Sequence, residues 1–202
     1  MTTADKTITF LPEDCQYGTT AEDAPFVISA RIRIGLVRRI PVDTGADSNI
    51  LFRGAFDKLG LRNENLQTYR NSVTGLGENF FKPDGSITLP LTIGTGNQRK
   101  TILSEFVVLK DSTAYNIILG KKTIKDFSAI IFTKYLFMNF ITEDGSVGSI
   151  HGDREVAAKC DNTSLALRKK SCDAARIFFA DLDARQDDQP RPKPEGDMES
   201  YK

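Results

Sequence analysis

From Phe26 to Phe140 most apolar residues fall in short runs, each closed by glycine, proline, asparagine or aspartate before it reaches helical length. Several of these runs alternate apolar and polar side chains, as strands with one buried face do. This spacing constrains the fold more than any other feature. It calls for short strands, few helices and an all-β sandwich or closed barrel. Phe26–Ile34 alternates at its C-terminal end. A turn is expected at Gly35, with Leu36–Val42 as the returning strand. Arg53–Gly60 reads as one or two helical turns stopped by Gly60. Val73–Phe81 is a glycine-punctuated strand pair, and Ser86–Ile93 an alternating strand in which Pro90 marks an edge or a bulge. Ile102–Leu109 follows. Tyr115–Gly120 is a buried strand entering a short helix, Lys121–Phe127. Ala129–Phe132 and Tyr135–Phe140 are two further strands.

The flanks differ in texture. Residues 1–24 are polar and read as an N-terminal flank to a domain spanning 25–145. Residues 146–186 read as a partly helical segment following it. Residues 187–202 are rich in proline and charge and read as a disordered linker.

Lysine and arginine total 27, as do aspartate and glutamate, for zero net charge. That balance argues against a dedicated nucleic-acid binder. Arg31, Arg33, Arg38 and Arg39 could contact nucleic acid, but their spacing suits the solvated face of a hairpin. Cys15, Cys160 and Cys172 are too few and too scattered for a disulfide framework and read as free thiols. With His151 as the only histidine, no structural zinc site and no cofactor is called for. The N-terminus lacks an apolar signal region, and no apolar run approaches the ~20 residues of a membrane span. A cytoplasmic, intracellular protein with no membrane partner is expected.

The chemistry concentrates at Asp43-Thr44-Gly45, set between Ile40-Pro41-Val42 and Ile50-Leu51-Phe52. A carboxylate is thereby carried on a tight turn between two core strands. Hydrolysis of a peptide without a covalent intermediate needs a water activated on one side and a carbonyl polarised on the other. Two carboxylates sharing one proton do both, because close like charges raise one of the two pKa values. The triplet occurs once, so a second carboxylate would come from another copy across a two-fold axis. Taken alone, Asp-Thr-Gly is equally an ordinary turn, since Asp and Gly populate turns everywhere.

Four blocks give the triplet a context. They are Val37–Phe52; Val73-Thr74-Gly75-Leu76-Gly77 with Gly85–Pro90; Ala114-Tyr115-Asn116-Ile117-Ile118-Leu119-Gly120; and Gly145–Asp153. In these the chain resembles the retropepsin-like aspartic proteases, in particular the protease region of plant Ty3/gypsy-type retrotransposon polyproteins. The resemblance implies a small closed β-barrel, active as a homodimer and cutting its own polyprotein. It implies Asp43 as the catalytic aspartate and Thr44 as the link between the two active-site loops. Gly45, Ala46 and Asp47 would lie along the substrate backbone. Gly75, Leu76 and Gly77 would form the tip of a flap closing over substrate. Leu119 and Gly120 would be the second element of the site, supporting the loop from below. Two positions depart from the pattern. Lys121 stands where the family usually has arginine, and Glu78 where the flap often has another glycine. With no Tyr-x-Asp-Asp signature and no zinc knuckle, the chain reads as an isolated protease segment or a degenerate copy. The alternative function is a silent relic serving as a dimerisation or peptide-binding module.

Overall fold

A computed structural model describes residues 25–74, 80–110 and 114–160. The N-terminal flank, the flap tip with Glu78, Cys15, Cys172 and the expected helical segment and linker beyond residue 160 lie outside the described residues. The described part is built mainly of strands, as the spacing of apolar runs predicts. Strands β1 (Val27–Ile32), β2 (Gly35–Pro41), β3 (Asn49–Phe52), β6 (Gly85–Thr95), β7 (Gln98–Leu109) and β8 (Ile117–Ile118) form one sheet in the order β2-β1-β6-β7-β3-β8. Its two ends meet through a parallel bridge, Val42 to Leu119, so the sheet nearly closes on itself. β4 (Val73–Thr74) and β5 (Phe80–Phe81) pair as a separate hairpin. β9 (Ile130–Phe132), β10 (Phe137–Ile141) and β11 (Val147–His151) form a third sheet. Two short helices, α1 (Arg53–Lys58) and α2 (Lys121–Asp126), follow β3 and β8.

The core sits inside the six-stranded sheet. Ile28, Ile32, Ile40, Leu51, Leu91, Ile93, Phe106 and Ile117 belong to it, together with Phe56 of α1 and Phe140 of β10. Each such side chain contributes roughly 1.5–3 kcal/mol by leaving water. β3 and β7 pair in parallel, and all of β3 is buried. Strands covered on both faces carry near-continuous apolar runs rather than alternation. Accordingly Leu51 faces the main core, while Ile50 and Phe52 join Val107 and Leu109 in a second cluster with Tyr69, Val73 and Phe81. The stem of the β4–β5 hairpin is therefore seated on the back of β3.

Several local readings change. The first hairpin reverses at Arg33-Ile34, not at Gly35, which pairs in β2 with Ile32. Arg33 adopts a left-handed conformation (φ 54°), and Ile34, expected to face the core, is 92% exposed. Further along, Ile28 pairs with Ile40 but Ala30 with Val37, so Arg38 and Arg39 together oppose Ser29. This bulge lets Val37 and Ile40, three positions apart, both point inward while the two arginines face solvent. Pro90 lies in neither an edge strand nor a bulge. β6 is interior and keeps regular register with β7 across Pro90. The Pro90 carbonyl accepts from Arg33 N–H (3.1 Å), so its ring nitrogen faces the same side, where β1 has already ended and a donor has no ladder to join.

α1 ends as expected. Gly60 (φ 67°) donates to Asp57 O (3.0 Å) and Leu61 donates to Phe56 O (3.3 Å), the paired bonds of a Schellman stop. β11, for which the sequence gives no strand reading, pairs along its whole length with β10 and carries the sheet past residue 145. A helix then runs through 154–160. Cys160 lies on it, its buried thiol donating to Ala114 O (3.6 Å); burial raises its pKa.

Candidate active site

Asp43 stands immediately beyond the closure of the sheet. Val42 N–H donates to Phe26 O (2.9 Å), Leu119 N–H to Pro41 O (3.0 Å) and Asp43 N–H to Leu119 O (2.8 Å). The backbone entering the turn is thus held on both sides. The turn folds back on itself: Gly45 N–H donates to Asp43 Oδ1 (2.8 Å), and Ala46 N–H reaches Asp43 O (3.3 Å). An aspartate accepting from the amide two residues on makes an Asx turn, which fixes the carboxylate's orientation. Asp43, Thr44 and Gly45 are exposed while Asn49, Ile50, Leu119 and Gly120 beneath them are buried. The carboxylate is therefore rigidly carried and open to an incoming group.

Leu119 and Gly120 hold the loop by close packing and backbone bonds. Lys121 N–H donates to Ala46 O (2.9 Å). A Cβ on Gly120 would lie 2.6 Å from Ala46 O and 2.8 Å from Ser48 O, so only glycine admits this approach. Lys121 reaches Asp47 and forms an ion pair with it. Both partners are exposed, so the pair is worth about 0–1 kcal/mol. The ammonium meets Asp47 as a point charge, without the planar fork of a guanidinium.

One residue of the site escapes sequence reasoning. Asn49, 6% exposed, donates from Nδ2 to Glu105 O (2.8 Å) and accepts at Oδ1 from Gly120 N–H (2.9 Å). The available signal was a polar residue opening a wholly buried apolar run, at a place where nothing local requires it.

β4 and β5 pair with one another, while Gly75, Leu76 and Gly77 lie outside the described residues. Two side chains of the arginine hairpin make hydrogen bonds. Arg31 donates to Ile34 O (3.3 Å) within the hairpin, and Arg39 to Asn116 Oδ1 (3.1 Å) at the entry to β8. His151 is exposed on β11, its ring 5.6 Å from that of Phe137. No helix among the described residues is long and apolar enough to cross a membrane.

Chemically, the loop offers one oriented, solvent-facing carboxylate. The other carboxylate of the same loop, Asp47, is occupied by Lys121. Among the described residues, this loop supplies one unpaired acid–base group, Asp43.

No family model and no curated protein matches this sequence. Among solved structures, the chain is similar to the retroviral protease-like domain of Ddi1 from Leishmania major. Identity is 20%, coverage 64% of this chain and 96% of that one, and the TM-score 0.47. It is similar to a retropepsin-like aspartic protease from Rickettsia conorii, with 25% identity, coverage of 54% and 76%, and a TM-score of 0.41. It is also similar to the EIAV protease complexed with the inhibitor HBY-793, with 20% identity, coverage of 57% and 98%, and a TM-score of 0.42.

Proposed function

We propose that the chain is an aspartic endopeptidase that works as a homodimer, each copy contributing Asp43. The observation that carries this reading is the exposed Asp43 carboxylate, locked by Gly45 N–H on a turn whose backbone is clamped to Leu119. A carboxylate held this way is pre-aimed, and one copy holds only half of a dyad. Across a two-fold axis the two Asp43 side chains would share a proton. The ionised one would take a proton from the attacking water, and the protonated one would donate a hydrogen bond to the scissile carbonyl. Titration would then belong to the pair. Thr44 would brace the two loops against each other. Gly45, Ala46 and Asp47 would follow the substrate backbone, held as an added strand under the flap at Gly75, Leu76 and Gly77. Leu119 and Gly120 would act from below. The four sequence blocks favour a retrotransposon polyprotein as the substrate.

The test is cleavage of a peptide library by the purified full chain at mildly acidic pH, with Asp43→Asn as control and sedimentation to establish the dimer. Turnover abolished by Asp43→Asn is expected. Cleavage that survives the substitution, or a confirmed dimer without turnover, overturns the reading. Tight peptide binding without turnover would instead mark a silent binding module.

A further inference from the structure

The peptide group between Leu119 and Gly120 is held at both ends by different parts of the chain. Its carbonyl oxygen, on Leu119, accepts from the backbone N–H of Asp43 (2.8 Å). Its N–H, on Gly120, donates to Asn49 Oδ1 (2.9 Å) in a buried setting. A peptide group is planar and stiff, so orienting one end orients the other. The Asn49 amide is itself fixed, because its Nδ2 donates to Glu105 O on β7. Flipping it would set an amide NH₂ against Gly120 N–H and an oxygen against a carbonyl, so the network allows one orientation.

We infer that Asn49 is a positioning residue for Asp43. It turns the Leu119–Gly120 peptide into a lever that sets the angle at which Asp43 leaves the sheet, and it anchors that lever to β7. The effect on catalysis rests on the peptidase reading above; the effect on the Asp43 backbone does not.

Asparagine is the residue type the position requires, because one partner is a donor and the other an acceptor. An aspartate there reproduces the pattern only when protonated, its O–H donating to Glu105 O and its carbonyl oxygen accepting from Gly120 N–H. Ionised, it sets a charge against the Glu105 carbonyl in a buried place. The charged groups on the elements packed around it are Asp43 and Asp47 in the loop, Glu105 on β7, and Lys121 and Lys122 at the start of α2. All five are exposed, so burial governs the new carboxyl and favours its neutral form. Asn49→Asp should therefore behave as native in acid and as a lesion near neutrality.

Two readouts on the full chain test this. The first is amide hydrogen exchange at Asp43 and Gly120, expressed as protection relative to β10. Protection at both sites should fall about tenfold or more in Asn49→Ala. In Asn49→Asp it should be native-like in acid and lost toward neutral pH. The second is peptide cleavage. The ratio of kcat for Asn49→Asp to native should drop about tenfold between the same pH values, with KM nearly constant. A purely structural role would lower Tm without a pH-dependent kcat ratio. Native protection at Asp43 in both variants at every pH, or a kcat ratio flat with pH, overturns the proposal. Should Asn49→Ala fail to fold, Asn49→Asp decides alone, since its acid form restores both bonds. Should the native chain cleave nothing while protection shifts as expected, the peptidase reading falls and the lever stands.

Discussion

Two side-chain knots hold irregular segments of this molecule in place, and they use opposite physics. Around Asn49 a neutral amide, buried, joins the Asp43 loop, β7 and the start of α2 through two short bonds. Around Arg53 a guanidinium at the start of α1 spreads its donors over Asp57 (3.1 Å), Asp84 (3.3 Å) and Asn63 (2.7 Å), while lying 4.7 Å over the Phe56 ring. Lys110 adds a second cation to Asp84 (3.3 Å). This second knot lines an open groove of about 590 Å³ and ties α1 and the Asn63–Asn65 turn to the residue just before β6. The Arg53 knot contains more bonds and more charge, yet solvent reaches it. The neutral knot has fewer bonds, but breaking one strands a buried donor or acceptor. The second situation is expected to cost more, because a buried unpaired group loses its full hydration, whereas Arg53 and Asp84 (side chains 28% and 15% exposed) keep part of theirs and Lys110 stays beside Asp84.

Substitutions can break this contrast in order of expected size. Gly120→Ala drives a methyl into Ala46 O and Ser48 O and should cost about 3 kcal/mol. A lower urea midpoint at constant slope would register it, and a change under about 1 kcal/mol would mean that the loop can move aside. Asn49→Ala leaves the buried Gly120 N–H without its partner and should cost about 2 kcal/mol by the same measurement. Arg53→Met keeps much of the packing on Phe56 and removes the charge. A loss of about 1 kcal/mol is expected, shrinking as salt is raised. A larger loss than for Asn49→Ala, unaffected by salt, would reverse the ranking of the two knots. Lys121→Ala breaks the exposed pair with Asp47 and should change stability by about 0.5 kcal/mol or less. If Lys121→Arg stabilises the chain well beyond that, the missing guanidinium fork matters more here than exposure suggests.

Much of this was legible in the chain. Alternation located β1 and β6 because along each of them side chains facing the core take turns with more exposed ones. Gly60 announced the end of α1 because the stop needs a left-handed residue at that point. Other features resisted. The turn at Arg33-Ile34 and the bulge at Arg38-Arg39 break the period on which strand reading depends. β11 contains Gly148 and Ser149 and lacks a sustained apolar pattern. It becomes a strand because β10 offers it a full ladder.

By itself the sequence determined that the fold is built of strands and that one Asp-Thr-Gly turn falls between two core runs. These are local properties, set by side-chain period and by turn residues. Tertiary structure alone decided how that turn is held. Asn49 finds its partners 56 and 71 positions away along the chain. The clamp on Asp43 likewise comes from Leu119 and Phe26, brought together only when the sheet closes. Hydrogen-bond satisfaction of a buried group depends on what surrounds it in space, and that information is not carried by any one stretch of residues.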